Sequence, residues 1–264
     1  MENSRPCSGR TASYEVAIAT PRPITYACGV NIPSADVLLV PGLWLPGTVW
    51  AASAAALRER GHRPLALTLP GQGDGATDAT LADQLAYVLT AIDAADHPVL
   101  VGHSAASTLV WIAASHRPAR VRGVIMVGGF PAAGGGTYAD FFPIRNGVVP
   151  FPGWEAFEQA DVADLDEHDR EELRAVMVPV PEGVATGKVT YEEEQRFSIP
   201  VGLVCPEFST EDAKAWITRG DVPELARVQE ISYVDLDSGH WPMRTCPTAL
   251  AEVLHGVLTG AGTP

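Results

Sequence analysis

The stretch "HPVLVGHSAASTLVWIAASHRP", His97 to Pro118, changes its period in the middle. Pro98–Val101 is short, apolar and valine-rich, the pattern of a strand buried on both faces. After Ser104, alanines, a leucine and a tryptophan recur at helical spacing until Pro118 stops them. Ser104 therefore falls where a buried strand turns sharply into a helix. A serine on such a turn has its hydroxyl lifted above the sheet edge, with the following N–H groups pointing at whatever the hydroxyl attacks. The turn needs small neighbours, and Gly102 and Ala106 supply them, giving G-x-S-x-A where the usual pattern is G-x-S-x-G. Those five residues alone also fit a helix N-cap serine, so the rest of the chain has to decide.

Outward from this turn the chain alternates. "YEVAIAT" and "PITYACGV" read as opening strands, then "ADVLLVPG" as a buried strand, "VWAASAAALRERG" as a helix and "RPLALTLP" as the next strand. "TLADQLAYVLTAIDAA" is an amphipathic helix with Thr80 and Asp83 spaced as a capping box. "VRGVIMVGG", "IPVGLVCP" and "ISYVDLD" are further strands, and "TALAEVLHGVLTG" is the closing helix. Strands that are apolar throughout and alternate with helices predict an α/β protein: a doubly wound, mostly parallel sheet covered on both faces. The alternation fails between Phe130 and Phe197, which is proline- and glycine-rich, then acidic and helical, then proline-rich again. That is too long for a crossover helix. The expected organisation is a loose N-terminus at 1–13, a core at 14–129 and 198–260, and a lid inserted at 130–197 over the carboxyl ends of the strands. The lid aromatics Tyr138, Phe141, Phe142, Phe151, Trp154 and Phe157 either line an apolar pocket or pack the lid onto the body.

Composition excludes several functions. With 264 residues and a net charge of −14, the chain has the size of one large α/β domain with an insertion, and lacks the clustered Lys and Arg that a nucleic-acid groove needs. The same acidity disfavours an anionic membrane surface, and no apolar run reaches the length of a membrane span. Cys7, Cys28, Cys205 and Cys246 are scattered without a C-x-x-C pair. They read as free thiols in a reducing compartment, and no His, Asp or Cys cluster has metal-ligand spacing. The opening "MENSRPCSGRTAS" has no apolar signal core. A cytoplasmic protein without cofactor or metal, acting on a small molecule, is expected, with a homodimer among the open oligomeric states.

A serine hydroxyl is a poor nucleophile until a base takes its proton, and histidine suits that role near neutral pH. Of seven histidines, His62, His97, His116, His168 and His255 sit at helix ends, strand starts or exposed faces, and His103 packs within the turn itself. His240 differs. It follows the last strand in the tight loop "DSGHWPM", which in a doubly wound sheet opens at the same edge as Ser104. An oxyanion needs donors. The N–H of Ala105 is one, and the N–H of Leu43 in "LLVPGLWLPGTVW" is the second, with Trp44 the nearest alternative.

Together, "VPGLW", "LPGQGDG", "VGHSAAS" and "DSGHWPM" resemble the α/β-hydrolase superfamily, over nearly the whole chain. The lid and "LVCPEFSTEDAKAW" are similar to its esterase and hydroxynitrile-lyase branch, whose members are cofactor-free and act on small apolar esters or related carbonyl compounds. The resemblance implies Ser104 as nucleophile, His240 as base and an acid between them. The chain departs from the pattern in three places. Pro41-Gly42 replaces His-Gly in the oxyanion loop, alanines occupy 105 and 106, and the loop where an aspartate is expected reads Pro206-Glu207-Phe208-Ser209. Some relatives carry the acid after the preceding core strand, but that strand ends in Gly128-Gly129. Glu207 is nearest to the expected place. Glu211 and Asp212 follow in a helix start, Asp237 shapes the histidine loop, and a Ser–His dyad is the remaining option.

Three functions stay open at this level. The first is a serine hydrolase for an ester, lactone or thioester, working through an acyl-enzyme on Ser104. The second is a cofactor-free lyase, cyclase or isomerase of secondary metabolism, with His240 as base and Ser104 as hydrogen-bond partner; the absent aspartate motivates it. The third is a non-catalytic ligand receptor.

Overall fold

The computed structural model describes residues 34–260. The two opening strands expected before Ser34, Cys7, Cys28 and the 1–13 segment lie outside the described residues. The elements run β1 (Asp36–Val40), α1 (Ala51–Glu59), β2 (Arg63–Ala66), α2 (Leu81–Ala94), β3 (Val99–His103), α3 (Ala106–His116) and β4 (Gly123–Val127). They continue with β5 (Val148–Val149), α4 (Gln159–Val162), α5 (Glu167–Val176), β6 (Val180–Pro181), α6 (Glu182–Ala185), β7 (Val201–Cys205), α7 (Thr210–Arg219), β8 (Ile231–Asp235), α8 (Pro242–Thr245) and α9 (Pro247–Thr259).

Six of these strands form one parallel sheet in the order β2-β1-β3-β4-β7-β8. β3, β4 and β7 are buried at every position, as their unbroken apolar runs require, whereas the outermost strand β8 alternates. α1 packs on α9, and α2 packs on α3. Right-handed crossovers place these two pairs on opposite faces. The chain leaves β1 in one direction to β2 and then returns to β3 on the other side. β1 and β3 therefore flank the switch point, and the loops after them diverge into the crevice where ligands of such sheets bind. The Thr80–Asp83 capping box on α2 forms as expected. β2 ends at Ala66, short of the expected "RPLALTLP", because the chain there leaves the sheet for the loop that carries Gln72.

Between β4 and β7 the chain adds no strand to the main sheet. It forms a two-stranded antiparallel ladder, β5-β6, and the short helices α4, α5 and α6. No helix among the described residues is long and apolar enough to cross a membrane.

Of the histidines expected at helix ends, strand starts or exposed faces, His62 lies between α1 and β2 and His255 within α9. Both are buried, and His62 Nε2 lies 2.8 Å from His255 Nδ1, joining the turn after α1 to α9. Burial first, then the nearby His255, Arg122 and Arg60, lower the His62 pKa to about 4. A histidine lowered in the folded state binds fewer protons than it does unfolded, so its contribution to stability is complete above about pH 6.5 and falls as the pH drops toward 4. The urea midpoint is expected to fall between pH 7 and pH 5, and His62→Gln to flatten that dependence. An unchanged slope in the variant would show that other groups carry the effect.

Candidate active site

β3 delivers Ser104 into a turn at φ 54°, a left-handed conformation that a serine adopts only when its surroundings enforce it. The enforcing contacts are local. The Ser104 N–H donates to the Val127 carbonyl at 2.9 Å, and the Ser104 carbonyl accepts from the Ser107 N–H at 2.9 Å. The Ala106 carbonyl fills the space that a side chain at 102 would occupy, at 2.6 Å from a Cβ placed there. The smallness read from the sequence thus has a steric cause.

The loop after β1 brings Gly42, Leu43 and Trp44 over this turn, with Trp44 at φ 66°. Neither the Leu43 N–H nor the Ala105 N–H donates to a protein group among the described residues. A brace that sequence reading missed holds this loop. Gln72, buried, donates through Nε2 to the carbonyls of Gly42 (2.8 Å) and Leu45 (3.1 Å), and its Oε1 accepts from buried Gln84 at 3.2 Å. The signal available was a polar amide inside "LPGQGDG", but nothing in its spacing points back to residue 42.

β8 ends at Asp235, and the following loop carries His240. Its Nδ1 lies 2.8 Å from Glu207 Oε1, with both side chains largely buried. A carboxylate accepts, so Nδ1 donates and Nε2 is the bare nitrogen. Glu207 is the acid that the fold brings to this histidine. Glu211 and Asp212 stand at the start of α7, where Asp212 closes a capping box with Ser209. Gly128, at φ 58°, explains the absence of a carboxylate after β4, because a Cβ there would stand 3.0 Å from Glu207 Oε2. The glycine leaves the room into which Glu207 folds.

The His240 main chain is held as well. Its N–H donates to the Asp161 carbonyl at 2.8 Å, and its carbonyl accepts from His103 Nε2 at 2.7 Å. The His103 ring therefore does more than pack within the turn. Two further contacts lie beside it: Ser238 Oγ of the same loop donates to Asp164 Oδ2 at 2.9 Å, in the turn between α4 and α5, and Arg244 Nε of α8 donates to Asp169 Oδ1 of α5 at 2.6 Å. Asp161 also brings a second carboxylate. One of its oxygens, a Glu207 oxygen and a His240 ring nitrogen all lie within 4.8 Å of one another, and burial raises the Asp161 carboxyl above its ordinary value. Sequence reading found no ligand-like cluster, and the fold assembles this one from three distant segments. Its innermost pair is the direct His240–Glu207 hydrogen bond.

Ser104 and His240 face one cavity of about 180 Å³, walled by Leu43, Trp44, Phe141, Phe142, Phe157 and Trp241. No hydrogen bond joins the serine hydroxyl to the imidazole here; such bonds are often long without substrate and tighten on binding. The aromatics divide as the two readings allowed. Phe141, Phe142 and Phe157 line the cavity, whereas Phe151 and Trp154 pack behind it, with ring centroids 5.4 Å from Trp44 and 5.2 Å from Trp241 respectively. Tyr138 is buried away from it. A larger cavity of about 400 Å³ opens under the opposite strand ends, near Arg122 and Glu230, and its one hydroxyl, Ser232, has no histidine beside it in the wall.

A parallel sheet with a strained serine at its switch point, a carboxylate-bound histidine and unpaired amides defines the α/β-hydrolase class. Residues 37–253 match the model of the alpha/beta hydrolase family, and the chain belongs to that family. Over 153 residues it is 29% identical to the carbendazim hydrolyzing esterase of Nocardioides sp. (strain SG-4G), covering 56% of this chain and 60% of that enzyme's length. Among solved structures, an extracellular alpha/beta-hydrolase from a Paenibacillus species superposes with a TM-score of 0.68 at 17% identity, covering 83% of this chain and 97% of that one. A pyrethroid hydrolase from Sphingobium faniae JZ-2 gives 0.65 at 20% identity, covering 86% and 98%. At these identities the structural likeness speaks for the fold.

The Glu207–His240 bond has a direct signature. A downfield, slowly exchanging Nδ1 proton is expected in the ¹H spectrum and should disappear in Glu207→Ala, which removes the acceptor. Its persistence in that variant would assign the bond to another acceptor.

Proposed function

We propose that the protein is a serine esterase acting on a small apolar carbonyl substrate through an acyl-enzyme on Ser104, with the 130–197 segment as its lid. One observation carries the reading: Glu207 Oε1 lies 2.8 Å from His240 Nδ1. That contact fixes the tautomer, leaves Nε2 as the base, and stabilises the imidazolium that forms when the base takes a proton. Ser104 Oγ attacks the carbonyl carbon as His240 Nε2 takes its proton. The oxygen of the tetrahedral intermediate accepts from the Leu43 and Ala105 N–H groups, which make no competing bond within the described protein. Collapse breaks the bond to the alcohol, which leaves with the proton from His240. Water then attacks the acyl-serine by the same route, releasing the acid and restoring the hydroxyl. The aromatic walls select an apolar substrate, and the cavity's size limits it to a small one. The relative that hydrolyses carbendazim supports this chemistry by its name alone. The lyase, cyclase or isomerase reading was motivated by a missing acid, and with Glu207 on the imidazole no observation favours it. The receptor reading leaves the strained serine and the tautomer-fixed histidine without a purpose.

A fluorophosphonate is expected to label the wild-type protein at Ser104 and to leave Ser104→Ala unlabelled. Hydrolysis of a short-chain p-nitrophenyl ester should be lost with Ser104→Ala and should fall by about 10³- to 10⁴-fold in kcat with Glu207→Gln. A folded wild-type protein that resists the label would overturn the reading.

A further inference from the structure

His103 precedes the nucleophile and is almost wholly inaccessible to solvent, with 1% exposure. Its ring makes one hydrogen bond among the described residues, from Nε2 to the main-chain carbonyl of His240, at 2.7 Å. A carbonyl only accepts, so Nε2 carries the proton and Nδ1 is bare. Nδ1 is buried without a partner and faces Gly42, where a Cβ would stand 2.8 Å from it. The ring thus fills the junction between the loop after β1, the serine turn and the histidine loop. Burial, and then the nearby His240 imidazole, lower the His103 pKa to about 3, so the ring remains neutral when its neighbour is charged. The two ring centroids are 4.8 Å apart, a spacing at which two imidazolium ions would repel.

We propose that His103 is a positioning residue: by donating from Nε2 to the His240 carbonyl, it ties the base to the backbone of the nucleophile and sets the separation of the two reacting side chains. The bond is needed because His240 lies in a loop outside any ladder of the sheet. Glu207 orients the ring about its own axis, and the Asp161 carbonyl holds the amide from the other side. Only the His103 bond connects His240 to residue 104 by a single peptide unit. A displacement of about 1 Å between reacting groups costs on the order of 10²-fold in rate, so a bond that fixes this distance acts on turnover without touching substrate. The proposal rests on Ser104 and His240 being the reacting pair.

Two variants and one wild-type measurement test it. His103→Phe keeps a ring of similar shape and removes the donor, while His103→Gln restores a donor near the position of Nε2. For a folded His103→Phe, kcat for a short ester and the rate of fluorophosphonate labelling are expected to fall about 10- to 100-fold, with KM nearly unchanged. His103→Gln should recover most of the loss. Wild-type kcat in His103→Phe, or equal impairment of both variants, would overturn the proposal. Should His103→Phe not fold, ¹⁵N spectra of the wild-type protein decide. A neutral Nε2–H tautomer that does not titrate between about pH 8 and pH 5 supports the assignment, and an Nδ1–H tautomer or a titrating ring overturns it. Failure of the wild-type protein to label at all would sink the esterase reading instead, which keeps the two outcomes apart.

Discussion

The left-handed backbone at Ser104 is the constraint from which the rest of the site follows. A serine at φ 54° costs of order 1–3 kcal/mol and persists only if its surroundings over-determine it. They do so from three directions. The Val127 carbonyl takes its N–H, α3 begins immediately after it, and residue 102 has no side chain to push the helix away. Straightening this turn would withdraw the hydroxyl from the cavity and turn the Ala105 N–H away from it. The buried sheet therefore supplies the site with rigidity, and the loops supply its chemistry.

The parts legible in sequence are those set by local pattern. The inner strands of the main sheet announce themselves as apolar runs, and the strand-to-helix switch at Ser104 is a change of period that no tertiary contact is needed to see. His240 was found by position, in the loop after the last strand. Glu207 was one option among several, because its role depends on how a loop folds back across Gly128, and a glycine's vacant space is invisible until the neighbour that fills it is known. Gln72, Asp161 and the His103 bond share a different reason. Each acts on a residue 30 or more positions away, or from an element whose packing cannot be read from its own composition. The burial and pairing of His62 with His255 could not be read from sequence, because a contact across 193 positions leaves no trace in either local stretch.

The departures from the resembling family have structural counterparts. Where a histidine commonly opens the oxyanion loop, Pro41 stands here, and the loop is braced by Gln72 and Gln84 from below. Where an aspartate is common after the β7 strand, a longer carboxylate arrives from two residues past Cys205 and needs the additional room that Gly128 provides. Two of the three departures are thus matched by neighbours, Gln72 for the loop at Pro41 and Gly128 for Glu207, and they coexist with an assembled acid–imidazole pair.

The histidine loop and α8 are stitched to the acidic helices of the inserted segment through the Asp161 carbonyl, Asp164 and Asp169. That seam makes the insertion mechanically unequal along its length. α4 and α5 cannot swing outward as a unit without dragging the imidazole's own peptide with them. Elsewhere in the same cavity wall, Phe141 is 63% exposed and Phe142 leans edge-on against Trp44. Any change in the packing of α4 is therefore transmitted to the peptide of His240 itself.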